Sequence, residues 1–210
     1  MRYLSGFRNE EIIRKYIMEN IVFATNNKHK LEELKKVLEG KYNIQSLSDI
    51  GFEKEIPEDF ETIKENAQQK ARYINEKYSM NCFADDTGLE IEALDGEPGV
   101  YSARYAGENC SYEDNMNKVL DKMKFAENRL ARFITVICLI FDSEEYFFKG
   151  EVKGEILKKK SGIGGFGYDP IFKPLGFSKT FAEMTMEEKN LISHRGLAAG
   201  KLVEFLKNII

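Results

Sequence analysis

The feature that most restricts this chain is the apolar run Phe133–Phe141, broken only by Thr135. It is too short to cross a bilayer and reads as a buried strand. It lies within a longer stretch, Leu130–Phe141, which with Glu145–Val152 forms a hairpin-like pair. Upstream the pattern is different. A strand at Asn20–Thr25 is followed by a turn, a helix at Lys28–Glu39 and a strand at Tyr42–Leu47. Leu31, Leu34 and Leu38 fall at helical spacing and Gly40 is a suitable C-cap. A second helix covers roughly Glu61–Tyr78, with Ile63, Ala67, Ala71 and Ile74 on one face. Next come a strand ending near Asp85, another through Leu89–Ala93, a Gly/Pro loop from Asp95 to Gly107 and a helix near Tyr112–Met123. βαβ units mixed with antiparallel hairpins give an α/β fold with a mixed sheet and flanking helices. No linker or internal repeat interrupts residues 18–210, which read as a single domain. Residues 1–17 stand apart, either as an N-terminal extension or because Met18, just before the first strand, is an alternative start.

Charge narrows the partners. With 31 basic against 35 acidic side chains the net charge is −4, which gives no general attraction to nucleic acid or to an anionic membrane. A small phosphate ligand stays compatible with it. Cys82, Cys110 and Cys138 show neither a disulfide framework nor zinc spacing, and no signal peptide opens the chain, so the expected location is the cytoplasm.

Four segments carry chemistry. Thr25-Asn26-Asn27-Lys28-His29-Lys30 sits where a strand meets a helix, and helix N-termini receive phosphates well. Taken alone, the segment is better explained by Asn26 or Asn27 capping the helix. Asp85-Asp86-Thr87-Gly88 puts adjacent carboxylates after an apolar strand. Neighbouring side chains of a strand point to opposite faces, so one carboxylate is expected to enter a given site. Oxygen ligands without histidine suit Mg²⁺, and a solvated turn explains the pair equally well. In Gly164–Pro170 an exposed Phe166 offers a stacking surface for a base, against the plainer alternative of a tight turn with core aromatics. In Thr185–Gly196 a capping box at Thr185 and Glu188 starts a helix. Lys189 and His194 would lie about 140° apart on one straight helix. If they share a ligand, the helix breaks near Ser193 and Ser193 caps a second one running to about Lys207; otherwise Lys189 and Arg195 are surface charges.

Together these segments resemble the inosine triphosphate pyrophosphatase family, also called non-canonical purine NTP pyrophosphatases. The matching elements are the T-x-N-x-x-K turn, DDTG, GEPGVYSARYAG, GGFGYDPIF and FAEMTMEEKNLISHRG, in the family's order from about Ile21 onward. The resemblance implies an elongated fold of two lobes around a central cleft, a homodimer, and hydrolysis of a nucleoside triphosphate to monophosphate and pyrophosphate with Mg²⁺. It places Thr25, Asn26, Asn27 and Lys30 on the triphosphate and Thr87 on the substrate. Glu58 and Asp86 hold the metal, and Asp86 also accepts a proton. Phe166 stacks on the base while Gly167, Tyr168 and Asp169 line the base and sugar pocket. Lys189, His194 and Arg195 read the base, with Arg195, and His194 if protonated, donating to a 6-oxo group. Lys70 is a weaker phosphate candidate. Asn26 stands where many members have Gly, and Thr87 where many have Ser; asparagine tolerates the left-handed geometry such a turn can require. A pyrophosphatase for pyrimidine or modified triphosphates and a nucleotide sensor without turnover are the competing readings.

Overall fold

The structure, a computed structural model, describes residues 20–38 and 43–209. The expectations for residues 1–17, for Met18, for the Gly40 cap and for Tyr42 lie outside the described residues. The strands are β1 (Asn20–Phe23), β2 (Asn43–Ser46), β3 (Cys82–Ile91), β4 (Pro98–Gly99), β5 (Leu130–Phe141), β6 (Glu144–Ile156) and β7 (Phe172–Pro174). The helices are α1 (Lys28–Leu38), α2 (Ile63–Tyr78), α3 (Tyr112–Lys122), α4 (Met186–Ile192) and α5 (His194–Ile209).

All strands join one mixed sheet in the order β2-β1-β3-β5-β6-β7, with β4 paired to β3. β1 runs parallel to β2 and β3, and the remaining pairs are antiparallel. The β5–β6 hairpin closes through Asp142 and Ser143, both at positive φ, as a two-residue turn of matching twist requires. Thr62 caps α2 by accepting from the Glu65 amide, and Ile63, Ala67, Ala71 and Ile74 form its buried stripe.

Alternation along β3 sorts its side chains between two faces. Phe83 joins the core under α1 and α5, stacked on Phe23 with ring centroids 4.6 Å apart. Cys82 and Ala84 join the core under α2. A third core, around Leu89, Phe133, Phe172 and Phe181, gathers α3 and the far ends of the long strands into a second lobe. Cys82 and Cys138 are buried core thiols, both pushed up to about 12 by burial.

Two sequence expectations need correction. The strand expected to end near Asp85 and the one expected at Leu89–Ala93 are one continuous β3, because every residue from Cys82 to Ile91 pairs with β5. The loop from Asp95 to Gly107 contains β4, a short pairing that its composition does not announce. The break at Ser193 is present: α4 ends at Ile192, Ser193 is extended at φ −72 and ψ 154, and its Oγ accepts from the Gly196 amide.

Candidate active site

In-register parallel pairing of β1 with β3 sets Phe23 opposite Phe83, so the turn that follows β1 lies beside Asp85 and Asp86. Ligand sites favour such places, outside the carboxyl ends of strands where connections part to opposite faces. The turn is both cap and cradle wall. Asn27 Oδ1 accepts from the His29 and Lys30 amides at 3.1 and 3.2 Å, and Thr25 Oγ1 accepts from the Asn27 amide. Asn26 donates to the Lys54 carbonyl and is not in the left-handed region, so its tolerance of that geometry is not needed here.

The two adjacent aspartates part as the pleat demands, and neither is solvated. Asp85 turns to the α1/α5 face. It accepts from Lys30 Nζ at 3.0 Å and from Arg195 Nε at 3.1 Å. Burial alone would raise its pKa, but the Lys30, Arg195 and Lys70 charges hold the carboxyl far below the usual range. Asp86 turns to the α2 face, where Lys70 Nζ lies 3.5 Å from Oδ1 and also pairs with Glu58. Here burial outweighs the attraction of Lys70 and raises the Asp86 carboxyl. Lys70 itself is raised: burial opposes its charge, and Asp86 and Glu58 more than compensate.

Glu58 and Asp86 suit a hard divalent cation. Both are carboxylates, Lys70 already bridges them as a cation, and Asp86 Oδ2 is buried with no hydrogen-bond partner among the described residues. No cluster of three or more His, Cys, Asp or Glu ligands occurs among the described residues. Mg²⁺ fits such a pair, since it commonly takes one or two carboxylates and completes its shell with phosphate oxygens and water.

Across the cleft, Lys189 and Arg195 are locked in place. Lys189 Nζ donates to Glu33 Oε1 at 2.7 Å and to Asp169 Oδ2 at 2.6 Å. Arg195 donates to Asp85, to Glu33 and, at 3.2 Å, to Thr87 Oγ1. Burial would raise Glu33, but Arg195 and Lys189 hold it below its ordinary value. Asp169 is raised by burial despite Lys189, and its Oδ2 accepts from the Phe166 amide, which fixes the glycine turn. Gly165 is required there: at φ +70, an added Cβ would stand 2.1 Å from Asp169 Oδ2.

Thr25, Asn26, Asn27, Lys30, Glu58, Asp86, Thr87, Phe166, Gly167, Tyr168, Asp169, Lys189, His194 and Arg195 all line one cleft of about 710 Å³. Residues 21–205 match the profile of the Ham1 family. The chain belongs to the Ham1 family. Among its curated relatives, the dITP/XTP pyrophosphatase of Flavobacterium johnsoniae is 53% identical over 186 residues, spanning 89% of this chain and 97% of the relative. That of Porphyromonas gingivalis is 50% identical, spanning 90% and 98%. Among solved structures, the Staphylococcus aureus Ham1 protein superposes with a TM-score of 0.83 at 41% identity, covering 91% of this chain and all of that one.

In this Ham1-family chain several side chains at the site escape sequence reasoning. Glu33 ties Lys189 to Arg195, and its one local signal is its place three residues after Lys30 on the same helix face. Asp85 does not line the cleft and serves as the counter-ion of Lys30 and Arg195. Asn66 pins the loop bearing Glu58 through both the amide and the carbonyl of Phe60. His29 lies on Phe166, rings 5.1 Å apart and 11° from parallel, with Tyr112 beside them. Tyr168 is packed into the α3 lobe and donates to the Ser102 carbonyl, whereas Phe166, expected to be exposed, is half-buried, with the Lys189 and Arg195 cations over its ring at 4.9 and 5.5 Å. His194 stacks on Phe133 at 4.5 Å, and burial, with Arg195 and Lys189 nearby, holds its pKa well below the ordinary value. A charged His194 is therefore not the donor considered from sequence; the neutral ring has one N–H to give.

Proposed function

We propose that this chain hydrolyses deaminated purine nucleoside triphosphates (dITP, ITP and XTP) to the monophosphate and pyrophosphate, with Mg²⁺, and so clears them from the nucleotide pool. One observation carries the reading: the Glu58–Asp86 pair, the Thr25–Lys30 turn and the Phe166, Lys189, His194 and Arg195 group share a single cleft. The names of the relatives support the same substrates. A sensor without turnover is disfavoured, because a polyanion gains nothing from buried carboxylates unless a cation intervenes.

When bound at Glu58 and Asp86, Mg²⁺ supplies a Lewis acid that draws charge from the phosphate oxygens. Asp86, its carboxyl raised by burial, accepts the proton of the water that attacks the α-phosphorus, and a raised carboxyl is the better base. Thr25, Asn27 and Lys30 hold the phosphates, and Lys70 offsets charge beside Asp86. Phe166 stacks on the base. Arg195 and neutral His194 present donors to a 6-oxo group, where adenine carries an amino group and would leave them unpaired. The reading extends to a homodimer in the cytoplasm; sedimentation velocity tests the assembly. No described helix is long and apolar enough to cross a membrane.

The decisive experiment measures pyrophosphate release from dITP, XTP, dATP, dTTP and UTP, with Mg²⁺ and with chelator. Preference for dTTP or UTP would transfer the site to pyrimidine substrates. Asp86→Asn is expected to abolish turnover and keep nucleotide affinity; wild-type turnover in that variant would remove Asp86 from the chemistry.

A further inference from the structure

One motif remains without a role, the loop around GEPGVYSARYAG, and its Arg104 differs from every other cation in the cleft. Lys30, Lys70, Lys189 and Arg195 have side chains 15, 8, 5 and 3% exposed, and each is hydrogen-bonded to carboxylates. These four face Glu33, Glu58, Asp85, Asp86 and Asp169, so the set already carries more acidic than basic groups. Each can serve a ligand only from where it stands, because drawing it off its carboxylate would leave that charge unpaired, which is costly.

Arg104 is held more loosely, by one long ion pair to half-buried Glu58. Its side chain is 40% exposed, lies over the Tyr101 ring at 5.4 Å and makes no hydrogen bond to another described residue. Its nearest acid is Glu58, whose Oε2 stands 3.6 Å from Nη1, beyond hydrogen-bond range. The backbone beneath it is fixed. The Arg104 amide donates to the Tyr101 carbonyl, and buried Asn115 clasps the loop by bonding the Ala103 carbonyl and the Ala106 amide. Tyr168 holds the Ser102 carbonyl. A half-exposed guanidinium on a hydrogen-bonded loop thus faces the same cleft as the Thr25–Lys30 turn, from the α3 lobe.

We infer that Arg104 is a further phosphate-binding residue, which grips the polyphosphate of the substrate from the side opposite the Thr25–Lys30 turn. The inference rests on the nucleotide reading of the cleft and names the residue that supplies positive charge not already spent on buried carboxylates. A planar fork of five donors suits phosphate oxygens, and lysine would reproduce the charge and not the fork.

Calorimetric titration with inorganic tripolyphosphate, free of metal, tests this without requiring turnover. Arg104→Ala is expected to weaken tripolyphosphate by about 10- to 100-fold, the range for hydrogen bonds to charged groups, with Arg104→Lys between that variant and wild type. Deoxyinosine, which has no phosphate, should bind all three proteins alike. The same comparison in a Glu58→Gln background separates direct contact from service to Glu58, and the loss should persist there. Unchanged tripolyphosphate affinity overturns the inference, as does a loss that vanishes with Glu58→Gln or one shared by deoxyinosine. A wild type that binds tripolyphosphate through Arg104 and releases no pyrophosphate from dITP would sink the enzymatic reading and leave this one standing.

Discussion

Replacing Glu33 by Gln keeps the shape of the side chain and removes one buried charge from a set in which Glu33, Asp85 and Asp169 face Lys30, Lys189 and Arg195. Glu33 is 5% exposed and binds both Lys189 and Arg195, so neither cation can turn to water when it is neutralised. Breaking a buried pair by removing one partner costs about 3–5 kcal/mol. For a chain of this size that lowers Tm by roughly 6–20 °C. Urea unfolding at neutral pH measures the free energy directly. The companion variant Lys189→Gln removes the opposite charge, and the double variant restores the balance. Its loss should fall short of the sum of the single losses by at least about 1 kcal/mol, since residues of one network couple. A Glu33→Gln loss below about 1 kcal/mol would match an exposed ion pair. That result, or strict additivity, would refute the picture of a buried, mutually dependent network.

Three further outcomes follow from named contacts. His194 is neutral when folded and charges below about pH 6.5 when unfolded, so its contribution is whole above that pH. It is lost at up to about 1.4 kcal/mol per pH unit as the pH falls below it. Urea midpoints between about pH 7 and about pH 5.5 should show this slope in wild type and a flatter one in His194→Phe. Gly196→Ala places a Cβ 1.9 Å from the Asn190 carbonyl oxygen, a collision with backbone, and should cost about 1–3 kcal/mol or more in thermal unfolding. His29→Ala removes the ring behind Phe166 and should raise the dITP KM by about 2- to 10-fold with kcat unchanged, whereas His29→Phe restores it.

Legibility in the sequence followed the range of the physics involved. Local signals were readable: the capping box at Thr185 and Glu188, the stripe of Ile63, Ala67, Ala71 and Ile74, and the β5–β6 hairpin all stand as their spacing predicts. The break at Ser193 was readable through a geometric conflict between Lys189 and His194 on a straight helix. The same period-2 reasoning foresaw that Asp85 and Asp86 would part. The partners that hold the site lay out of reach. Glu33 meets Lys189 and Arg195 across 156 and 162 residues, and its place three residues after Lys30 announces neither partner. The continuity of β3 through Thr87 and Gly88 was hidden because a glycine beside carboxylates looks like a turn. It is settled by pairing with β5, where the Thr87 and Thr135 hydroxyls bond at 2.6 Å.

The parting of the two aspartates also explains why a cleft suited to a polyanion holds so many carboxylates. Lys30 and Arg195 reach toward the cleft from α1 and α5, helices anchored on one face of the sheet. Unpaired lysine in so dry a place would shed its proton, and burial does lower Lys30. Asp85, charged and fully enclosed behind them, attracts both cations and fixes their direction before any ligand arrives. Its neighbour Asp86 has the opposite assignment. With its carboxyl raised and one oxygen unpartnered, it is primed for a cation or a proton. One pleat of one strand thus divides two chemically identical side chains into a fixed counter-ion and the carboxylate proposed as base. Asp85→Asn should therefore unseat Lys30 and Arg195 and lose nucleotide affinity, whereas Asp86→Asn should lose turnover. Equal phenotypes for the two, read as KM and kcat on dITP, would contradict that division.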